Sequence, residues 1–553
     1  MSKRFMKKMG DLFRGRKLFK VLLSSLTVLV MVLLAACGSN STSGTKTAKD
    51  TIYMGMVNPP AGFNPINSGD IAAQFAERLM FDSFLDMVSP LKFQAKLATS
   101  IDTSDNQTYT IHLNPKAKWT DGKPITADDV IFTFNLIANP KTETAVGGNI
   151  SSLTGVDMNG KLTGSETSIP NLKKVDDHTV TFKTKKPVDP NYIKEMIGTK
   201  IITLPQHVLK DIAPADLANS KYMQKPDITS GPYKLVTYNK NTYIQYKANN
   251  AYYLGKPKTP KMFIKIMDAS NLAGELESGS IQLNVSGGIG NIPFQDVDTV
   301  KKLKNATTKI EPQIGFQTME FNTKTITDPK VRQAFAYAIN RQQIVKKLLK
   351  GNGEIIDGPY TSLSPYLDKN LKKLDYDPAK AKKMLKDAGW DFNKEVNLVV
   401  PIGNKVREQS ANIIVQNLKA IGVKVKETTY DFPTIMQKGK AGDFDLLLIG
   451  FTFNLDPDVS ALFGPNGAYN FMKYNNPEAT KLLEQGKSEP DTGKRKVVYN
   501  KLQKIWQDDM PVLTLYSDSE VNVVSKDLSY GGAAAYWPGT VADFQKWAYK
   551  GSK

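Results

Sequence analysis

Cysteine occurs once in the 553 residues and histidine only three times. A single thiol leaves no internal disulfide and no thiolate cluster for zinc or iron–sulfur. His112, His178 and His207 are scattered and lack HExxH or related metal spacing. Catalytic signatures are equally scarce: there is no GxSxG elbow and no Walker A loop, and the lone SxxK match, Ser43 to Lys46, has no KTG partner. Acidic residues number 54 against 73 basic ones, a formal charge of +19. Eight basic residues and one acidic residue precede Cys37, however, so the charge of the remainder falls by seven, to +12. That excess is lysine spread along the chain rather than packed in blocks with aromatics, which argues against a nucleic-acid groove and for a solvated surface. Beyond residues 21–36 no apolar run is long enough to cross a membrane.

What is present begins with an address. Lys3, Arg4, Lys7, Lys8, Arg14, Arg16, Lys17 and Lys20 precede an uninterrupted apolar or small run from Val21 to Ala36, the anatomy of an export signal. The run closes in Leu34-Ala35-Ala36-Cys37, which resembles the lipobox of bacterial lipoproteins. The resemblance implies a diacylglyceryl group on Cys37, a mature N-terminus there and residence on the extracytoplasmic face of the cell membrane. Residues 1–36 are then the signal peptide, and 37–50, rich in Ser, Thr and Gly, a flexible tether of roughly 20 Å reach.

From Thr51 the pattern is α/β, and the length predicts about three structural units. Ile71, Phe75, Leu79, Phe84 and Leu85 predict a first core helix over Ile71 to Val88. Thr108 to Leu113 alternates as a strand, and Thr126 with Asp129 forms a capping box for a helix that Pro140 ends. Residues 141–170, rich in Gly, Ser, Thr and Asn, predict a long surface excursion. Strands are expected near Thr179 to Lys183, Tyr233 to Tyr238, Tyr243 to Lys247 and Met262 to Met267. Asp328-Pro329, Asp377-Pro378 and Asn476-Pro477 each start a helix as cap and first residue. Leu446 to Ile449 is continuously apolar, as in a strand buried on both faces.

The segment YTIHLNPKAKWTDGKPITADDV, from Tyr109 to Val130, resembles the signature of the substrate-binding proteins of oligopeptide and dipeptide ABC transporters, the family 5 extracellular solute-binding proteins. LPQHVL from Leu204, SGPYKL from Ser230, KVRQAFAYAINRQQIV from Lys330 and YDPAKAKKMLKDAGW from Tyr376 continue it in order. The resemblance implies a two-lobed, periplasmic-binding-protein type II-like α/β fold with an extra domain inserted in the first lobe. The first lobe would comprise 50–90, 225–312 and 515–553, the inserted domain 91–224 and the second lobe 313–514, with hinge strands near Gly315 to Phe321 and Thr514 to Ser519. It also implies a non-enzymatic receptor, expected to be monomeric, that delivers oligopeptides to ABC transporter permease subunits and needs no cofactor or metal. A glycan, a chelated metal or another solute is the rival ligand, and an exported enzyme the rival class.

A buried strand emptying into a polar loop is where α/β sheets present ligands, and FDLLLIGFTFNLDPD, Phe444 to Asp458, has that form. In peptide-binding relatives this loop carries an aromatic residue over the ligand and an Asp that pairs with the peptide's α-amine. Aligned on the glycine, Phe451 takes the aromatic position, with Thr452 beside it, and Asn454 takes the place of the Asp. Asn supplies no charge for a desolvated ammonium, so either Asp456 or Asp458 substitutes or the N-terminus is not strictly fixed. Asp456-Pro457-Asp458 reads equally well as a helix-capping turn. Across the cleft, Asn67 to Ala72, with Ser68, Gly69, Asp70 and Ile71 as candidate contacts, aligns with the family's peptide-pairing edge, where strand addition would bind the ligand backbone.

Overall fold

The computed structural model describes residues 50–67, 69–530 and 543–551. The export signal, Cys37 and most of the tether therefore lie outside the described residues, as does Ser68. Among the described residues no helix is long and apolar enough to cross a membrane, and no group of His, Cys, Asp and Glu could hold a metal ion.

A twelve-stranded sheet runs through the molecule, and the 14-residue strand Val512–Ser525 is its shared member. Its first part pairs antiparallel with Gly315–Phe321. Its later part pairs with Ala306–Pro312, from Ser519 opposite Pro312 to Ser525 opposite Ala306. On one side the sheet continues through Leu446–Thr452, Glu395–Pro401 and Lys424–Tyr430. On the other it passes through Leu283–Asn284, Thr51–Met56, Lys261–Ile266, Tyr243–Ala248 and Tyr233–Asn239.

Each side has its own core. Met319, Phe335, Leu398 and Leu446 pack on one face of the second-half strands, and Phe316, Leu447, Phe463 and Trp506 on the other, because Leu446–Thr452 is apolar on both faces. Ile52, Met54, Phe75, Tyr246 and Trp547 form the core of the first half. A separate four-stranded sheet, Ala98–Thr103, Thr108–Leu113, Thr179–Lys183 and Lys173–Asp176, packs Tyr109 and Phe182 against Trp119 and Phe134.

Local signals fix many boundaries. Asp328, Asp377 and Asn476 each accept a backbone N–H at the start of Pro329–Ala338, Pro378–Asp387 and Pro477–Ser488. Thr126 and Asp129 close both halves of a capping box at Ala127–Ala138. Gly231 meets the Met80 backbone so closely that a Cβ would lie 2.4 Å from the Met80 carbonyl carbon, which admits only glycine.

Two expectations change. The helix from Ile71 ends at Glu77, and Leu85–Ser89 is a strand. Ile71, Phe75 and Leu79 belong to the first-half core, whereas Phe84 and Leu85 enter the core of the four-stranded sheet. Helical spacing thus joined residues that serve two different cores. Residues 141–170 are not merely a surface excursion either: Ile150, Leu153, Val156 and Ile169 are buried in that same core.

Candidate functional site

The strand Leu446–Thr452 lies antiparallel to Gly315–Phe321, with Phe316 opposite Phe451 and Gly315 opposite Thr452. It delivers the 453–459 loop at the end of the sheet. Phe451 and Phe453 stack with centroids 5.5 Å apart and planes 15° from parallel, and Phe316 lies 6.5 and 6.0 Å from them. Tyr469 extends the cluster at 5.8 Å from Phe451. Phe451 itself is 8% exposed and Tyr469 40%, so the apolar surface offered outward comes from half-buried Phe453 and from Tyr469 more than from Phe451. Thr452 is exposed beside them.

Past the aromatics the loop is held by residues remote in sequence. Glu195, in the π-helical turn Lys194–Gly198, accepts the backbone N–H of Leu455 at 2.9 Å and of Asp456 at 2.8 Å. Lys200 donates to Asn454 Oδ1, and Asn454 Nδ2 lies 3.4 Å from Met196 Sδ. Asp456 takes a two-pronged ion pair from Arg495, at 2.5 and 3.0 Å. Arg495 also stands 3.7 Å from Asp189, whose carboxylate accepts from Tyr366 and Thr492. Burial pushes the Glu195 carboxyl up while Lys200 pulls it back. Burial works against the Lys200 ammonium, with Glu195 and then Asp456 opposing. At Arg495 burial is outweighed by Asp456, which keeps the guanidinium charged.

The expectation that Asp456 could stand in for the missing aspartate therefore fails: both its oxygens are committed to Arg495 and it is 4% exposed. Asp458 is half-buried and accepts the Ser460 N–H at 2.9 Å, an Asx turn ahead of the short helix Ser460–Phe463, whose N-cap, Val459, makes no side-chain cap bond. Burial raises its carboxyl above the usual range. Opposite, Asp70 caps Ile71–Glu77 by accepting from Ala73 N at 2.7 Å, and Asn67 N closes a turn onto Asn64. Among the described residues of 67–72, Asn67 is in a turn and Ile71 starts the helix, with Gly69 near Ala145 and Ile71 half-buried.

Phe453, Tyr469, Glu195, Lys200 and Arg495 were not singled out from sequence. Lys200 is 254 residues from Asn454 and Glu195 is 260 from Leu455, so no local pattern joins them. Of the histidines, His207 is bound to Asp121 at 2.9 Å.

The model of the bacterial extracellular solute-binding proteins, family 5, matches residues 92–473. The chain is 28% identical to the oligopeptide-binding protein AppA of Bacillus subtilis over 534 residues, covering 91% of this chain and 94% of that protein. The structure of AppA in complex with a nonapeptide superposes with a TM-score of 0.72 over 90% of this chain and 98% of that one, at 27% identity. The substrate-binding protein CtaP of Listeria monocytogenes gives 0.78 at 26% identity, covering 91% and 100%. NikZ of Campylobacter jejuni, in complex with Ni(L-His), gives 0.72 at 26% identity, covering 90% and 99%. With the family model spanning most of its length and the two-lobed α/β fold in place, the chain belongs to the bacterial extracellular solute-binding proteins, family 5.

Proposed function

We propose that this protein is a receptor that binds oligopeptides between its lobes and hands them to an ABC permease, without turning over chemistry itself. The observation that carries the reading is the strand Leu446–Thr452, paired with Gly315–Phe321, opening into a loop flanked by stacked aromatics, in a chain similar over nearly its whole length to an oligopeptide-binding protein. Proposed first-lobe segments 50–90, 225–312 and 515–553, with the inserted 91–224, close on 313–514 about the paired strands Gly315–Phe321 and Val512–Ser525. A diacylglyceryl anchor on Cys37 keeps the monomer at the membrane.

A peptide fits better than a metal chelate because Phe453 and Tyr469 offer apolar surface, and His207 is engaged with Asp121. The test is native mass spectrometry of protein purified without denaturation, followed by sequencing of what it releases. Peptides in the bound mass support the reading. A glycan or a nickel chelate would overturn the ligand class, and hydrolysis of added peptides, abolished by a change in the cleft, would overturn the receptor class.

A further inference from the structure

The first-half strands bury one face and carry half-buried rings on the other. Along Thr51–Met56, Ile52 and Met54 are fully buried while Tyr53, between them, is half-buried on the opposite face, since side chains alternate along a strand. Tyr53 stands opposite Phe263 in Lys261–Ile266, and Lys265, the next residue on that face, stands opposite Tyr243. The Phe263 ring lies 5.2 Å from that of Tyr53 and 5.8 Å from that of Tyr243, tilted by 34° and 40°. With Thr242, Lys265 and Glu275 the three rings line an open cavity of about 410 Å³, the size of a small-ligand site, for which about 300–1,000 Å³ is usual. Lys265 Nζ lies 5.3 Å from the Tyr53 ring centre and 3.3 Å from the Glu275 carboxylate. In the sheet these strands are separated from Leu446–Thr452 and its loop by Gly315–Phe321, Val512–Ser525 and Leu283–Asn284.

We propose that this aromatic face is a second binding site, separate from the proposed peptide cleft, and that its ligand is a neutral oligosaccharide. A pyranose ring has an apolar C–H face and an edge of hydroxyls. Aromatic faces carry the negative side of the ring quadrupole, so they attract the C–H groups and lose little by shedding water. The hydroxyls both donate and accept. An ammonium supplies donors only, a carboxylate acceptors only and a threonine hydroxyl both, so Lys265, Glu275 and Thr242 together meet either need. The Lys265–Glu275 pair has no net charge, so a cation would meet Lys265 and an anion Glu275. A hydrocarbon chain would take water from that pair and return no hydrogen bond.

The test titrates the full-length protein with three neutral tetrasaccharides, cellotetraose, maltotetraose and chitotetraose, by calorimetry. At least one should bind, and Phe263→Ala should weaken it tenfold or more. Phe263→Tyr, which keeps the ring, should bind within twofold of wild type. Glu275→Ala, which leaves all three rings in place and so guards against a variant that merely misfolds, should weaken binding threefold or more. Choline and phenyl phosphate, which can meet the rings but carry charge, should bind at least tenfold more weakly than the sugar. Absence of binding by all three sugars, or an unchanged affinity in Phe263→Ala or Glu275→Ala, would overturn the inference and leave the peptide-receptor reading untouched. So would a different occupant of the face: a wild-type dimer that Phe263→Ala loses, or binding to phosphatidylglycerol vesicles that it abolishes.

Discussion

Arg495 grips Asp456 with both arms of its guanidinium, at 2.5 and 3.0 Å, with the two side chains 3% and 4% exposed. Planar guanidinium and planar carboxylate match bidentately, and Arg495 Nε donates to the Gly486 carbonyl at 2.8 Å. The pair ties the 453–459 loop to the helix Thr492–Asp509. Asp456→Asn leaves a buried guanidinium without its main counter-charge, which costs roughly 3–5 kcal/mol. Denaturant unfolding should show this loss. Asp458→Asn, which keeps an oxygen able to accept the Ser460 N–H, should cost no more than about 1 kcal/mol. A fall in peptide affinity with unchanged stability in Asp456→Asn would show that the carboxylate serves the ligand after all.

Asn454 offers a neutral side chain already engaged by Lys200. Asn454→Ala should weaken peptide binding by about 1 kcal/mol, the usual worth of one neutral hydrogen bond. Calorimetric titration measures it, and a loss of several kcal/mol would reveal a stronger anchor at this residue.

Closure can be read in solution. Glu195 joins its π-helical turn to the loop through two amide hydrogen bonds, a contact between the proposed inserted segment 91–224 and the proposed second lobe 313–514. Small-angle scattering should show a smaller radius of gyration at saturating peptide, since a ligand shifts such an equilibrium by contacting both sides in the closed state. Glu195→Ala should enlarge the unliganded protein and raise the peptide concentration needed to compact it. An unchanged radius with peptide would count against closure.

Glu520 gives a pH signature at the shared strand. It stands directly opposite Glu311, is 1% exposed, and accepts from the Gly287 and Gly288 amides. Burial pushes its carboxyl from 4.5 up to about 8, with the glycine amides opposing and Glu311 adding to the rise. Because the folded value lies above the unfolded one, the native state holds the extra proton between those values, and stability falls as pH rises through that window. Glu520→Gln should remove this fall and gain on wild type by a few kcal/mol between pH 4.5 and 8, at about 1.4 kcal/mol per unit. Parallel unfolding curves for the two proteins across that range would refute the assignment.

Cys37 is the only thiol in the chain and directly follows the apolar run of residues 21–36, where we propose the lipid is attached. Cys37→Ala should release the protein from the membrane fraction or leave it as an unprocessed precursor without lipid. Lipid-free protein retained at wild-type level, with processing intact, would contradict the anchor.

Much of the architecture follows from neighbours in sequence. Asp328, Asp377 and Asn476 cap their helices because a side-chain oxygen three bonds from its own backbone reaches the next N–H groups whatever the rest of the chain does. The uninterrupted apolar run at Leu446 makes a central strand because it has no polar face to turn outward. These signals are local, so composition and spacing carry them, and the ordered segments from Tyr109 to Trp390 carried the family as well.

The site was less legible because it is made by approach rather than by pattern. Phe84 and Leu85 keep helical spacing with Ile71, yet they leave the helix because a second core receives them. Asp456 looked free for a ligand until Arg495, 39 residues on, claimed it. Asn454 was visible as a missing charge, but the Lys200 ammonium that donates to it came from another part of the chain. Caps and apolar runs depend on covalent neighbours, which a sequence fixes directly. The pairing of buried charges depends on which walls the fold brings within hydrogen-bond distance, and only the tertiary structure decides that.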